Sequence, residues 1–148
     1  MKRMRTLAGI SILALVLAAC SSGTTDTAAV TTAAALDDSN CAAAESFCVG
    51  LVTDIGKVDD KSFNQSAHEG AMAAAAAVGG FYKYIETTDT KDYAANMGQF
   101  TDKGYDVIVT VGFLMAEATV TAAKANPNTK FIGVDQFQAE EVANLTGL

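Results

Sequence analysis

Apolar and polar positions follow two alternating periods along residues 48–135, one typical of buried strands and one of helices. Short apolar runs rich in strand formers predict four strands, at residues 48–53, 82–87, 106–111 and 130–134. Between them, apolar or small residues at helical spacing predict three helices, at about 62–78, 92–103 and 114–126. Because strands and helices alternate, the pattern predicts an α/β fold with a parallel, doubly wound sheet.

The strand ends of such a sheet indicate where a site would lie. Ligands of open parallel sheets bind beyond the carboxyl ends of the strands. The segments that follow the four predicted strands are residues 54–64, 87–91, 112–113 and 135–136. We therefore expect any binding site to be drawn from these four segments.

The first of these regions, residues 53–65 (TDIGKVDDKSFNQ), is a polar loop with one large aromatic residue at the start of a helix. Ser62 or Asn64 is the expected cap, and the free backbone N–H groups of a helix start can bind an acceptor. Phe63 offers a ring for stacking and Asp54 a carboxylate for two hydroxyl hydrogen bonds, which suits a ligand with a sugar and a ring. The alternative is a solvated charged loop in which Phe63 packs on its own helix.

The first forty residues have the pattern of an export signal followed by a tether. Three basic residues precede an apolar stretch, residues 7–19, that is too short to cross a membrane as a stable helix. It ends in LAAC, where Cys20 follows small residues as in a bacterial lipobox; an ordinary signal peptide with an incidental cysteine is the alternative. We expect a signal peptide at 1–19, a lipid-anchored flexible tether at 20–40 and a folded domain at 41–148.

The charge of the chain excludes some partners. The sequence has 10 basic and 17 acidic residues, and removing residues 1–19 deletes three basic residues and no acidic ones, which leaves a net charge of −10 (7 minus 17). So acidic a protein lacks the basic surface that nucleic acid requires. It also lacks a polybasic patch for anionic lipid, so we expect the acyl chains alone to hold it at the extracytoplasmic face of the membrane.

Two further cysteines lie near the start of the predicted domain. Cys41 and Cys48 are the only cysteines besides Cys20. An exported protein meets an oxidising compartment, which favours a disulfide between them. Two separate thiols, with Cys48 buried at the start of a strand, are the alternative.

Residues for catalysis or metal binding are scarce. His68 is the single histidine, so a histidine metal cluster or a Ser-His-Asp triad is difficult to assemble. The glycines at 50 and 56 have the wrong spacing for a phosphate-binding loop. We therefore expect no enzyme activity, no cofactor and no metal, and we expect His68 to lie on a helix surface or at a domain contact.

The run DIGKVDDKSFNQSAHEG at 54–70 resembles the signature of the basic membrane protein family, the nucleoside-binding lipoproteins of ABC transporters. Further matches follow in the family's order: GYDVI at 104–108, VGFLM at 111–115, ANPNTKF at 125–131 and VD at 134–135. The segment NLTGL at 144–148 resembles the family's next strand. One departure is His68, where the family usually has tryptophan.

The resemblance implies a fold and a set of ligand contacts. The fold would be the N-terminal lobe of a type I periplasmic binding protein, a two-lobed class that closes on its ligand by a hinge. Asp54 would bind the ribose hydroxyls and Phe63 would stack on the base. The other implied contacts are polar groups at the helix start, close backbone approach after the third strand, and a carboxylate after the fourth: Ser62, Asn64, Gly112, Phe113 and Asp135.

Length and function complete these expectations. Members of the family are considerably longer, so we expect this sequence to be the N-terminal part of a binding protein, truncated before its second lobe, and one lobe to bind weakly. The expected function is capture of nucleosides, with a bias to purines, for the permease and ATPase subunits of an ABC importer. The alternatives are a lipid-anchored sensor for another small ligand, such as an autoinducer or a sugar, and an exported nucleoside hydrolase.

Overall fold

The computed structural model describes residues 37–148; the predicted signal peptide, Cys20 and residues 21–36 of the predicted tether lie outside the described residues. The described part contains five strands: β1 (Cys48–Ile55), β2 (Phe81–Thr87), β3 (Val107–Val111), β4 (Lys130–Val134) and β5 (Leu145–Gly147). It also contains three α-helices: α1 (Phe63–Ala77), α2 (Tyr93–Thr101) and α3 (Ala116–Ala125).

All strand pairs in the sheet are parallel, and the strand order is β2-β1-β3-β4-β5. The predicted α/β fold with a parallel sheet is therefore confirmed, with β5 in the segment that resembles the family's next strand. β2 lies on one side of β1, and the later strands follow on the other side, so β1 and β3 are neighbouring inner strands of the sheet. Both are apolar runs that are buried along nearly their whole length, as parallel strands covered on both faces require.

Helices lie on both faces of the sheet. On one face, Ala71 and Ala75 of α1 pack against a cluster that includes Leu51, Val109 and Val111. The small alanine side chains let the helix approach the strands closely. On the other face, α2 and α3 contribute larger side chains, among them Met97, Phe100 and Ala123, which pack with residues of β1, β3 and β4. Burial of these two apolar layers is the main stabilising contribution to the fold.

The predicted helices agree with the structure in number and order, but two of them begin later than the pattern indicated. A turn of 3-10 helix precedes α2 at Thr90–Asp92 and another precedes α3 at Phe113–Met115. Such turns are common at helix starts, and their apolar spacing is continuous with that of the helix that follows. Met115, for example, is fully buried although it lies outside α3.

The segment before β1 is attached to the amino edge of the sheet, where the strands begin. Cys41 and Cys48 form a disulfide. The Asp38 carboxylate lies 2.6 Å from the ammonium groups of both Lys83 and Lys103. Residues 37–47 are thus held at the edge opposite to the loops in which the sequence predicts a site.

Candidate functional site

The loops that follow β1, β2, β3 and β4 converge at the carboxyl edge of the parallel sheet. Two of the seven predicted ligand-binding residues meet there directly, Asp54 at the end of β1 and Gly112 at the end of β3. A Cβ atom placed on Gly112 would stand 2.5 Å from the Asp54 Cβ and 2.6 Å from its Oδ2. The two residues therefore form the centre of the candidate site.

One oxygen of the Asp54 carboxylate is engaged within the protein. The backbone N–H of Ile55 donates a hydrogen bond to Oδ1 at 2.6 Å, and the hydroxyl of Tyr93 donates a second to the same atom. Asp54 is only partly buried. The carboxylate is thus held in one orientation while remaining accessible at the edge of the sheet.

Gly112 has a backbone conformation that only glycine adopts without strain. Its φ is 109° and its ψ is 145°. The backbone N–H of Gly112 donates to the carbonyl oxygen of Val134 at 2.9 Å, which joins the end of β3 to the end of β4. Glycine is needed here for two reasons, since any side chain would both strain the backbone and collide with Asp54.

The start of α1 is capped by Asp60, and this corrects two expectations about the helix. Ser62 occupies the cap position, but neither its hydroxyl nor the Asn64 amide caps the helix. Instead the Asp60 carboxylate accepts hydrogen bonds from the backbone N–H groups of Ser62, Asn64 and Gln65, at 2.8, 3.3 and 3.1 Å. These amides are therefore not free to bind a ligand, because a carboxylate one turn earlier already occupies them.

The same hydrogen bonds lower the pKa of the Asp60 carboxyl group. Desolvation alone would raise its pKa, but the three backbone hydrogen bonds together outweigh desolvation and hold the pKa below its ordinary value. The loop therefore carries a fixed negative charge against the helix N-terminus, where the helix dipole also favours it.

The three predicted residues at the helix start differ in exposure. Phe63 is 58% exposed, so a large part of its ring is open to solvent. Ser62 is also exposed. Asn64 is buried, and its Nδ2 would lie 3.2 Å from a Cβ placed on Gly56, so it faces the loop after β1.

Phe113 and Asp135 lie in the loops after β3 and β4. Phe113 follows Gly112 directly and is 66% exposed. Asp135 is exposed with a left-handed φ of 54°, and its backbone N–H donates to the carbonyl oxygen of Leu148 at 3.1 Å. Within residues 37–148, no hydrogen bond joins either residue to Asp54.

Two side chains attach the β1–α1 loop to β2. Glu86 accepts hydrogen bonds from the Val58 backbone N–H at 3.0 Å and from the Lys57 ammonium at 3.2 Å. The Val58 amide, followed by Lys57, holds the pKa of Glu86 below its ordinary value against the opposing effect of desolvation. The buried Thr53 hydroxyl accepts from the Thr87 backbone N–H at 3.1 Å and donates to a loop carbonyl at 3.2 Å. The loop is therefore fixed to the sheet by hydrogen bonds to β2.

The sequence did not reveal the roles of Tyr93, Asp60 and Glu86. Tyr93 lies on the buried stripe of α2, where its ring satisfies the apolar pattern and hides the hydroxyl. Its position at the first residue of a helix that starts at the carboxyl edge is the signal that could have revealed it, because buried tyrosines find a partner for their hydroxyl.

The single histidine of the chain lies on α1, next to the edge strand β2. His68 packs against tyrosines of the edge strand β2, with its Nδ1 2.8 Å from the Tyr82 hydroxyl. No group of three or more His, Cys, Asp or Glu side chains in residues 37–148 is arranged to hold a metal ion. Among these same residues, no helix has the length and apolar character needed to cross a bilayer.

Comparison with known protein families gives one match that covers most of the described chain. A family model described as ABC transporter substrate-binding protein PnrA-like matches residues 47–148. This interval contains the whole five-stranded sheet, all three helices and every residue of the candidate site.

Two curated relatives illustrate the match in sequence. The ABC transporter nucleoside-binding protein BmpA of Lactococcus lactis is 37% identical over 89 residues, which are 57% of this chain and 25% of the relative. A CD4+ T-cell-stimulating antigen of Listeria innocua is 34% identical over 142 residues, which are 90% of this chain and 37% of the relative. The aligned part of the chain thus spans 25% to 37% of the length of these relatives.

A solved structure illustrates the match in fold. An ABC transporter solute-binding protein of Aeropyrum pernix superimposes with a TM-score of 0.62 and 28% sequence identity. The superposition covers 68% of this chain and 28% of that protein. The five-stranded sheet is therefore the architecture of one part of a solute-binding protein.

Proposed function

Because the chain belongs to the family of PnrA-like substrate-binding proteins of ABC transporters, we propose that it binds a nucleoside at the carboxyl edge of its sheet. The observation that carries the proposal is the pairing of Asp54 with Gly112. It presents a carboxylate oriented by two hydrogen bonds beside a backbone segment that has no side chain to block a ligand. Such a group recognises a molecule rich in hydroxyls.

The ribose hydroxyls are the groups that Asp54 binds in this proposal. An ionised carboxylate accepts hydrogen bonds and donates none, so it favours a donor such as a sugar hydroxyl. Hydrogen bonds to a charged acceptor are stronger than those between neutral groups. The two hydroxyls of a ribose lie on adjacent carbons, so both can approach the one carboxylate.

The nucleobase stacks on Phe63. The ring is 58% exposed at the first residue of α1, on the same loop as Asp54. Stacking of a base on an aromatic side chain contributes about 1–3 kcal/mol and tolerates different bases. Phe63 therefore contributes affinity, and the polar neighbours contribute orientation: Ser62, Asn64, Phe113 through its backbone, and Asp135.

The protein does no chemistry on the nucleoside in this proposal but delivers it. Substrate-binding proteins of ABC transporters deliver their ligand to a permease and an ATPase. The ligand binds the closed state of such a protein more tightly than the open state, so ligand binding shifts the protein toward closure. Closure needs a second wall for the site. We assign that wall to the part of the relatives that extends beyond the length of this chain.

The proposed location is the extracytoplasmic face of the membrane, with a lipid on Cys20. The basic residues and the apolar stretch before Cys20 support export, and the small residues before it support lipidation. Segment 37–47 enters the domain at the amino edge of the sheet. A tether arriving there leaves the proposed nucleoside site on the opposite edge accessible.

Isothermal titration calorimetry tests the proposal. The full-length protein, expressed without residues 1–20, is titrated with inosine, guanosine and adenosine, and separately with glucose and leucine. We expect heat of binding with at least one nucleoside and none with the sugar or the amino acid. Binding of glucose or leucine without binding of any nucleoside contradicts the proposal.

A pair of variants assigns the binding to the carboxyl edge. Asp54→Ala removes the proposed ribose ligand and is expected to weaken nucleoside binding at least tenfold, because a charged hydrogen-bond acceptor is lost. Asp59→Ala is the matched control, since Asp59 is an exposed carboxylate in the same loop. Equal affinities of the two variants would show that Asp54 does not bind the ligand.

A further inference from the structure

Tyr93 lies behind Asp54 and contacts it from the core. It is the first residue of α2, its side chain is 5% exposed, and it packs in the same apolar cluster as Met97 and Phe100. Its hydroxyl donates a hydrogen bond to Asp54 Oδ1. A side chain held this firmly places its hydroxyl at a defined point below the carboxyl edge.

The contacts of Asp54 divide its two oxygens between the protein and the site. Oδ1 receives both the Tyr93 hydroxyl and the Ile55 backbone N–H, which together use the two lone pairs of one carboxylate oxygen. Oδ2 accepts no hydrogen bond from any of residues 37–148. It lies against Gly112, where a Cβ atom would come within 2.6 Å of it.

The pKa of Tyr93 favours the protonated hydroxyl, which is the form that can donate to Asp54. Burial raises the pKa of the Tyr93 hydroxyl, and the hydrogen bond to Asp54 and the charge of Asp54 raise it further. The hydroxyl therefore keeps its proton at neutral pH and can donate it to the Asp54 carboxylate.

We propose that Tyr93 is the positioning residue of the nucleoside site: it holds Asp54 by Oδ1 so that Oδ2 faces the ribose hydroxyls. The inference rests on the proposed function, and it gives Tyr93 a role through Asp54 and no contact with the ligand. Pre-organisation of this kind strengthens binding because the carboxylate does not have to be ordered when the ligand arrives.

The first test needs no ligand. Tyr93→Phe removes the hydroxyl and keeps the buried ring, and its effect on the urea midpoint is measured in the native background and in an Asp54→Ala background. We expect a lower midpoint in the native background, and an unchanged or higher midpoint when Asp54 is absent, because the Tyr93 hydroxyl then has lost its acceptor. An equal shift in both backgrounds overturns the proposed coupling between the two side chains.

Tyr105→Phe is the matched control for this test. Tyr105 is also a buried tyrosine of the same cluster, but its hydroxyl has no hydrogen-bond partner within residues 37–148. We expect this variant to leave the midpoint unchanged or to raise it, and to leave ligand affinity unchanged.

The second test uses the ligand to separate positioning from a general structural role. Inosine and 2′,3′-dideoxyinosine share the base, but only inosine has the hydroxyls that Asp54 would bind. We expect Tyr93→Phe to weaken inosine binding about tenfold and to leave dideoxyinosine binding unchanged. An equal loss for both ligands, or no loss for either, overturns the positioning role. Absence of binding of any nucleoside to the native protein overturns the proposed function itself, while the urea midpoints still decide whether Tyr93 holds Asp54.

Discussion

At the scale of single residues, Gly112 sets the distance between the backbone of β3 and the carboxylate of β1. Its φ of 109° lies in a region that residues with a side chain rarely adopt. The space a Cβ would need is already taken by Asp54 atoms 2.5–3.0 Å away. The close packing of Asp54 against the β3 backbone, and the ligand approach that we propose there, therefore depend on the absence of a side chain at Gly112.

Gly112→Ala tests that dependence. We expect it to lower the free energy of unfolding by about 1–3 kcal/mol, because the new methyl group strains the backbone and displaces Asp54. We also expect it to weaken nucleoside binding. Urea denaturation and calorimetric titration measure the two effects.

Gly70→Ala is the control for the Gly112→Ala prediction. Gly70 lies in α1 with no atom within 4 Å of the added Cβ, so alanine should raise the free energy of unfolding by about 0.5–1 kcal/mol. If Gly112→Ala is as well tolerated as Gly70→Ala, the close packing of Asp54 against Gly112 is not a property of the protein in solution.

At the scale of elements, the strands and helices could be predicted from the sequence, whereas the contacts that build the site could not. The β-branched run of β3 and the alanine-rich run of α1 each have one dominant period, so their type and order follow directly. The cap of α1 depends on Asp60, which lies outside the helix and was one of several loop carboxylates. The Tyr93 contact joins residues 39 positions apart, a pairing that only the folded chain establishes.

The candidate residues themselves were easier to predict than their arrangement. Asp54 and Gly112 lie at the ends of two neighbouring strands, β1 and β3, and parallel topology alone brings such positions to one edge. Phe113 and Asp135 are at the same edge by the same reasoning. Their side-chain directions depend on local backbone angles, such as the left-handed φ of Asp135, that the pattern of apolar positions does not specify.

Asp38 forms ion pairs with Lys83 of β2 and with Lys103, which follows α2. These ion pairs make the stability of the fold depend on pH. Hydrogen bonds from Lys103 and then Lys83 lower the pKa of Asp38 from 3.8 to about 2. Because the pKa is lower in the folded than in the unfolded chain, the stabilising effect is fully present above about pH 4. It is lost as the pH falls from there toward about 2.

Asp38→Asn is therefore expected to lower the urea midpoint at pH 7 and to make the loss of stability between pH 4 and pH 2 less steep. Asp59→Asn is the control, since Asp59 is exposed and makes no ion pair with any described residue. Identical pH profiles for native protein and Asp38→Asn would show that the two lysine contacts contribute nothing to stability in solution.

At the scale of the whole molecule, the two edges of the sheet have different tasks in our account. The amino edge receives the chain from its N-terminal side and fixes it with a disulfide and the Asp38 ion pairs. The carboxyl edge carries the oriented carboxylate and the exposed aromatic ring. In our proposal, attachment and capture are thus separated by the length of the strands, so that the proposed lipid anchor and the proposed ligand would use different edges of the sheet.

The central claim is that a nucleoside binds at the carboxyl edge with its ribose on Asp54. A crystal structure of the protein, expressed from its complete reading frame and crystallised with inosine, tests this most directly. We predict electron density for inosine at this edge, with its ribose hydroxyls within hydrogen-bond distance of Asp54 Oδ2 and its base stacked on Phe63. Inosine bound elsewhere, or at this edge with its ribose turned away from Asp54, would contradict the account.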